Sequence, residues 1–181
     1  ICLGLFIVVL QICSGCDSNS DDISDSGSGN ETSSQPDDDK DQVDNSDFSR
    51  EILIAFGSSP IVTNPLDGNG VSITSNGDQI IIQSTAEEVE YILSGTTTSG
   101  TVKIYSDYKF KLTLNGVQIT NPNGPAINIQ SGKRVFVELK EGSVNKLTDG
   151  TSYKEVSGED MKGAFFSEGQ LLFSGTGSLQ V

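Results

Sequence analysis

The 181 residues contain no histidine and no tryptophan, methionine occurs once, and all three cysteines (Cys2, Cys13 and Cys16) fall within the first sixteen positions. Beyond Cys16 there is therefore no disulfide, no thiolate metal site and no cysteine nucleophile. Arginine is limited to Arg50 and Arg134. Helical periodicity is also missing: no window of eleven or more residues repeats its apolar positions at a helical spacing. No phosphate-binding loop is present, because "GSGN" lies in a polar stretch and "GTGS" (175–178) precedes no helix. No nucleic-acid module is recognisable.

The N-terminus reads "CLGLFIVVLQIC" over residues 2–13, an apolar run too short to span a bilayer and placed where a secretory signal lies. It carries neither an initiator Met nor a basic n-region, so residues 1–15 are read as part of a signal peptide. Small Ser14 and Gly15 stand directly before Cys16. This resembles the lipobox of bacterial lipoproteins, which implies cleavage before Cys16 and its acylation; Cys13 stands where the motif usually has Leu.

Residues 17–51 hold twelve acids against Lys40 and Arg50, ten of the fourteen net negative charges of the chain. With almost no large apolar group to offset ordering entropy, residues 16–51 are expected to be a disordered acidic tether behind the lipid. "DDDKD" (37–41) lacks the glycine and terminal glutamate of an EF-hand loop. Acids soon after the lipid-bearing cysteine resemble a surface-export signal. The expectation is an outer-membrane lipoprotein at the cell surface, with a periplasm-facing anchor as the alternative.

After a lead-in at 52–69, apolar residues fall at every second position in short runs separated by Gly, Asn, Asp and Ser, the pattern of strands. The runs share a register. Ile104, Phe110, Leu112 and Leu114 recur 25 residues later as Ile129, Val135, Val137 and Leu139, and again after a further 36 as Leu171 and Phe173 under Val135 and Val137. An earlier pass places Tyr91 and Leu93 21 residues before Leu112 and Leu114. The longer offset implies an insertion near "TSYKEVSGEDM" (151–161). Repeats of this length without helices predict an all-β, right-handed parallel β-helix over 70–181, incomplete at its C-terminus. An antiparallel sandwich is the rival, but it would not require a fixed offset.

The pieces "LNGVQIT", "GPAINI", "NKLTDG" and "GAFFSEGQLLFSGTGSL" make residues 70–181 similar to a bacterial carbohydrate-binding β-helix family known for calcium-containing, polygalacturonate-binding members. The resemblance implies calcium in the domain and an anionic polysaccharide such as pectin as partner.

Two sets of residues are candidates for those roles. Outward strand positions carry Lys109 and Lys111, with Arg134 and Phe136 beneath them one repeat later. Together with Tyr105 they form an expected sugar-binding stripe, although such cations also serve to keep a flat sheet soluble. Asp107, Asp149, Asn121 and Asn123 are hard oxygen donors at turns, suited to calcium and equally to tight turns. Catalysis is not expected, because no histidine or arginine cluster stands ready for lyase chemistry and the acids do not converge as a glycosidase requires. Three functions are thus distinguished: a calcium-assisted, non-catalytic polysaccharide binder, a β-helical adhesin or spacer contacting a protein, and a polysaccharide lyase.

Overall fold

A computed structural model describes residues 43–181. The signal peptide, Cys16 and most of the tether lie outside the described residues. A single 3-10 turn (Val43–Asn45) precedes the strands. In chain order these are β1 (Arg50–Phe56), β2 (Ile61–Thr63), β3 (Val71–Asn76), β4 (Gln79–Ser84), β5 (Val89–Thr97), β6 (Thr101–Ser106) and β7 (Phe110–Asn121). They are followed by β8 (Ile127–Ile129), β9 (Val135–Leu139), β10 (Val144–Asp149), β11 (Phe165–Ser167), β12 (Leu171–Gly175) and β13 (Ser178–Gln180). β1 includes the last two residues of the stretch read as tether, and the lead-in 52–69 contributes to the fold.

The strands form two sheets, between which the chain passes back and forth. Sheet A runs β12-β9-β7-β5-β1-β2, with β10 on β7 and β13 on β10; sheet B runs β11-β8-β6-β4-β3. From β4 onward every pairing within a sheet is parallel, and the sequence offsets are its register: Phe110 faces Val135, Leu112 faces Val137 and Ile104 faces Ile129. Leu171 and Phe173 in turn face Val135 and Val137, and Tyr91 faces Leu112.

The expected right-handed parallel β-helix is nevertheless not what forms. Both sheets are mixed and do not close into a solenoid, because β1 pairs with β2 and β3 with β4 in antiparallel fashion. The reason is local: only residues 57–60 separate β1 from β2, and only Gly77 and Asp78 separate β3 from β4. A parallel partner needs a crossover of a dozen or more residues, whereas a two-residue loop with glycine at positive φ (Gly77, φ 57°) makes a hairpin.

Alternation decides which side chains fill the core. Ile52, Tyr91, Leu112 and Val137 lie in one row of sheet A, Ile54, Leu93 and Leu114 in the next, and Ile80, Val102 and Ile127 in sheet B; all are at most 1% exposed. Each row places a β-branched, leucine or aromatic side chain on its like, burying apolar surface in contact with the neighbouring strand rather than within a single one. Tyr91 meets Phe110 edge-to-face, with ring centroids 5.4 Å apart. At the last strand the row runs out, and Phe173, expected inside, is 54% exposed.

Between Leu93 and Gly95 the register of β5 with β7 slips by one residue. Gly95 has φ 81°, and a Cβ there would lie 2.0 Å from the carbonyl oxygen of Phe56. Both the left-handed backbone and the close approach of β1 exclude a side chain. Gly95→Ala is expected to lower stability by at least about 2 kcal/mol in urea unfolding; a change within error would mean that the bulge re-forms elsewhere.

Candidate functional site

On the outer face of sheet A, the expected stripe is partly engaged within the protein. Lys111 Nζ lies 2.5 Å from Glu138 Oε2 and 3.4 Å from Glu90 Oε1, and Thr113 donates to Glu90 at 2.5 Å. Burial acts to lower the Lys111 pKa, but the two carboxylates outweigh it and the group ends above its usual value. Phe136 is not exposed as expected. It is 3% exposed and packs against Phe48, with ring centroids 5.3 Å apart. Lys109 donates to Ser46 Oγ at 2.8 Å, and Arg134 Nε donates to Gln170 Oε1 at 3.0 Å. Residues 46–48, read as tether, thus lie on the stripe itself.

The oxygen donors expected to hold calcium divide between two corners. Asp149 and Asn121 are register partners on β10 and β7, with Asn123 just beyond, whereas Asp107 lies exposed after β6. Asn121 Nδ2 donates to the Pro125 carbonyl at 2.7 Å, and its Oδ1 accepts from Asn123 N at 3.1 Å. Asp149 accepts from the Tyr153 hydroxyl. Among the described residues no group of three or more acids is placed to hold a metal ion. A calcium cage takes six to eight oxygens, so a corner with one carboxylate and an amide already in use does not fit one.

The outer face of sheet B is different. On β6, Val102 and Ile104 point into the core, so Lys103 and Tyr105 point out, and the register places Asn128 beside Lys103. Across this face runs the insertion that shifts the repeat from 25 to 36 residues, a strap formed by residues 151–162. Its Glu159 docks there with one donor on each carboxylate oxygen: Lys103 Nζ is 2.5 Å from Oε2, and the Tyr105 hydroxyl donates to Oε1. Gln130 Nε2 donates to the Asp160 carbonyl at 2.8 Å and to Asn128 Oδ1 at 2.7 Å.

Asn128 is 1% exposed, and its Nδ2 has no hydrogen-bond partner among the described residues. Leaving such a donor unpaired typically costs about 1–3 kcal/mol. Asn145, equally buried, shows the ordinary case. Its Oδ1 accepts from Gly116 N and Val117 N, and its Nδ2 donates to Ser143 Oγ and the Ser178 carbonyl.

Burial first, then the Glu159 carboxylate, pushes Tyr105 up to about 12, so its hydroxyl is a donor and not a base near neutral pH. Burial acts to raise Glu159, but the hydrogen bonds from Lys103 and Tyr105 and the Lys103 charge outweigh it and hold the carboxyl below its usual value. Between strap and sheet lies a cleft of about 170 Å³ whose lining includes Lys103, Asn128 and Lys154 and no carboxylate. Two other hollows are acidic, one of about 650 Å³ on the strap lined by Glu155, Glu159 and Asp160 and one of about 280 Å³ near Lys109 by Asp47, Glu87 and Glu88; a further one of about 290 Å³ beside β3 has neither acid nor cation in its lining.

Residues 67–181 match the family model described as carbohydrate-binding domain-containing protein. The chain belongs to this family. A curated relative of the same description from Acetivibrio thermocellus is 35% identical over 95 residues, which are 50% of this chain and 33% of the relative. A solved structure, a gadolinium derivative of the polysaccharide lyase-like protein from C. thermocellum, is 27% identical with a TM-score of 0.60. It covers 71% of this chain, which in turn spans 51% of it. The chain thus spans about a third of the curated relative and half of the solved one.

Of the residues expected to bind sugar, the carbohydrate-binding domain sets Tyr105 on sheet B, where its hydroxyl donates to Glu159, and leaves Lys109, Lys111, Arg134 and Phe136 on the other sheet; the cleft between strap and sheet is lined instead by Asn121 and Asn123, expected as calcium donors. Lys103, Asn128, Gln130 and Glu159 were not singled out from the sequence. Outward alternation on "TVKIYS" pointed to Lys103, but no sequence signal joins it to Glu159, 56 residues later.

Two outcomes follow for the side chains themselves. Phe136→Ala should lower stability by about 3 kcal/mol in denaturant titration, as expected for removal of a buried ring, and leave glycan retention unchanged. The depressed Glu159 pKa means that its docking adds stability that is complete above the ordinary glutamate range and is lost as pH falls through the lowered folded-state value. Carbon-detected NMR titration of its carboxyl should show that low midpoint, and an ordinary one would mean that the strap does not dock in solution.

Proposed function

We propose that this carbohydrate-binding domain is a non-catalytic module for an anionic polysaccharide, a uronate polymer of the polygalacturonate kind, and that the polymer lies against the outer face of sheet B. The observation that carries the reading is the cleft beside β6 and β8, whose lining holds Lys154, the Glu159-paired Lys103 and Asn128 with its unsatisfied amide, and no carboxylate. Polysaccharides present carboxylate and hydroxyl oxygens, which are the acceptors that Lys103, Lys154 and Asn128 lack or can exchange. Cys16 as lipid anchor and the acidic segment as spacer complete the proposal, holding the module at the outer surface of the cell. Among the described residues no metal-holding group of acids is present, and calcium assistance is left to the comparison of calcium with chelator.

A lyase is the second reading, favoured by the likeness to the polysaccharide lyase-like protein of C. thermocellum. Against it stand the protonated Tyr105 and the engagement of Glu90, Glu138 and Glu159 with neighbouring donors.

The test is affinity electrophoresis of the whole chain in gels containing polygalacturonate or a neutral galactan, each with calcium and with chelator. Retardation by the uronate polymer alone is expected, reduced at least threefold by Lys154→Gln and weakened by added salt. Equal retardation in both polymers would overturn the anionic preference, and the absence of any would overturn the proposal. Release of an unsaturated, ultraviolet-absorbing product would replace it with the lyase reading.

A further inference from the structure

Glu159 reaches a cation of the sheet from an inserted loop, whereas its neighbour Asp160 pairs with Lys162 within that loop. Glu159 receives a lysine ammonium on one oxygen and a tyrosine hydroxyl on the other, at a site where side-chain exposure is 17% for Lys103 and 12% for Glu159. This arrangement would receive the carboxylate of any acidic ligand in the same way, because charge-assisted bonds to separate oxygens depend only on the carboxylate group. A third donor, Nδ2 of Asn128, belongs to the residue at the register position of Lys103 on the adjacent strand, and Glu159 leaves it unsatisfied. A group that fills two donors of a set and leaves the third buried and empty behaves as an incomplete ligand.

We infer that Lys103, Tyr105 and Asn128 form a carboxylate-binding site for an acidic sugar, and that in the free chain the strap occupies it with Glu159 as an internal substitute. The inference rests on the proposed polyuronate binding and adds where the carboxylate goes and what it must displace. The strap is suited to be displaced. Its docking contacts are polar: the Glu159 pair, the bond from Gln130 to the Asp160 carbonyl and, at its N-terminal end, the bonds from Lys154 N to the Asn123 carbonyl and from the Tyr153 hydroxyl to Asp149, while Val156 is 41% exposed. A ligand carboxylate exchanges for Glu159 with little change in charge, and its ring hydroxyls or second carboxylate oxygen offer the acceptor that Asn128 lacks.

Internal competition has an unusual consequence: removing the competitor strengthens binding. Measured against polygalacturonate with the whole chain, Glu159→Gln should bind about three- to tenfold more tightly, which corresponds to losing one partly exposed ion pair. Lys103→Met and Tyr105→Phe should each bind at least fivefold more weakly. Glu155→Gln removes the same charge from the same strap away from Lys103 and should change affinity by less than twofold, which separates displacement from general electrostatics. In the unaltered protein, polygalacturonate should speed tryptic cleavage after Lys162, because the Glu159 end of the strap is released while Lys154 stays with the polymer.

If Glu159→Gln binds polygalacturonate no better than the unaltered protein, or if the polymer protects Lys162 from trypsin, the internal-ligand inference is overturned while polyuronate binding stands. A gain by Glu155→Gln equal to that by Glu159→Gln likewise overturns it. If neither the unaltered protein nor any variant binds the polymer, both readings fall.

Discussion

The parallel register between successive passes of the chain is the constraint on which the structure depends. No strand here buries its inner face alone. Leu112 is sealed only because Tyr91 lies on one side and Val137 on the other, and the same holds for Ile104 between Ile82 and Ile129. A slip of one residue would turn these rows outward and bring Lys111 or Lys103 into the core, an exchange costing several kcal/mol per row. The one slip that does occur, beside Gly95, is confined to a position where the backbone passes against Phe56 and no side chain has to be accommodated. At β12, where no further row lies beyond Phe173 among the described residues, burial fails.

Fixing the inward rows fixes the outward ones as well, and this gives the two sheets different surfaces. In sheet A the register stacks Glu90, Lys111 and Phe136, so the charges find each other and the ring recruits Phe48. In sheet B it stacks Ile81, Lys103, Asn128 and Phe166, a row with one cation and no acid. An ammonium on such a row has no cross-strand counterion, and the nearest carboxylate must come from outside the sheet. Glu159 supplies it, which is why the insertion lies over sheet B.

This also explains how far the sequence could be read. Offsets of 25, 36 and 21 residues were visible because each row repeats residue type as well as spacing, and they proved to be the pairing registers. The antiparallel hairpins were not read, although "SNGDQ" carries the turn signal, because β1 and β2 precede the first recognisable repeat and the periodic stretch drew attention away from a two-residue loop. Phe136 was assigned correctly to the outer side of its strand, but outside a sheet is not outside a protein: Phe48 covers it from a segment whose composition is that of a tether. Asn121 and Asp149 met as register partners, yet side-chain hydrogen bonds to the Pro125 carbonyl, Asn123 N and the Tyr153 hydroxyl could not be inferred from residue type.

The strap illustrates what an insertion costs in such a structure. Lengthening a surface connection by about ten residues adds only a fraction of a kcal/mol in closure entropy, so the rows on either side keep their register: Val135 still meets Leu171. The core therefore does not oblige the strap to dock. Its position is set by a few polar contacts at the rim of a cleft, and those contacts are of the kind that another carboxylate can replace. A segment held in this way responds to a ligand without any change in the sheets beneath it, since the inward rows and the outward donors are separated by the backbone of β6 and β8. Recognition and its control can then lie in twelve residues of loop, while the ladder that carries them remains unchanged.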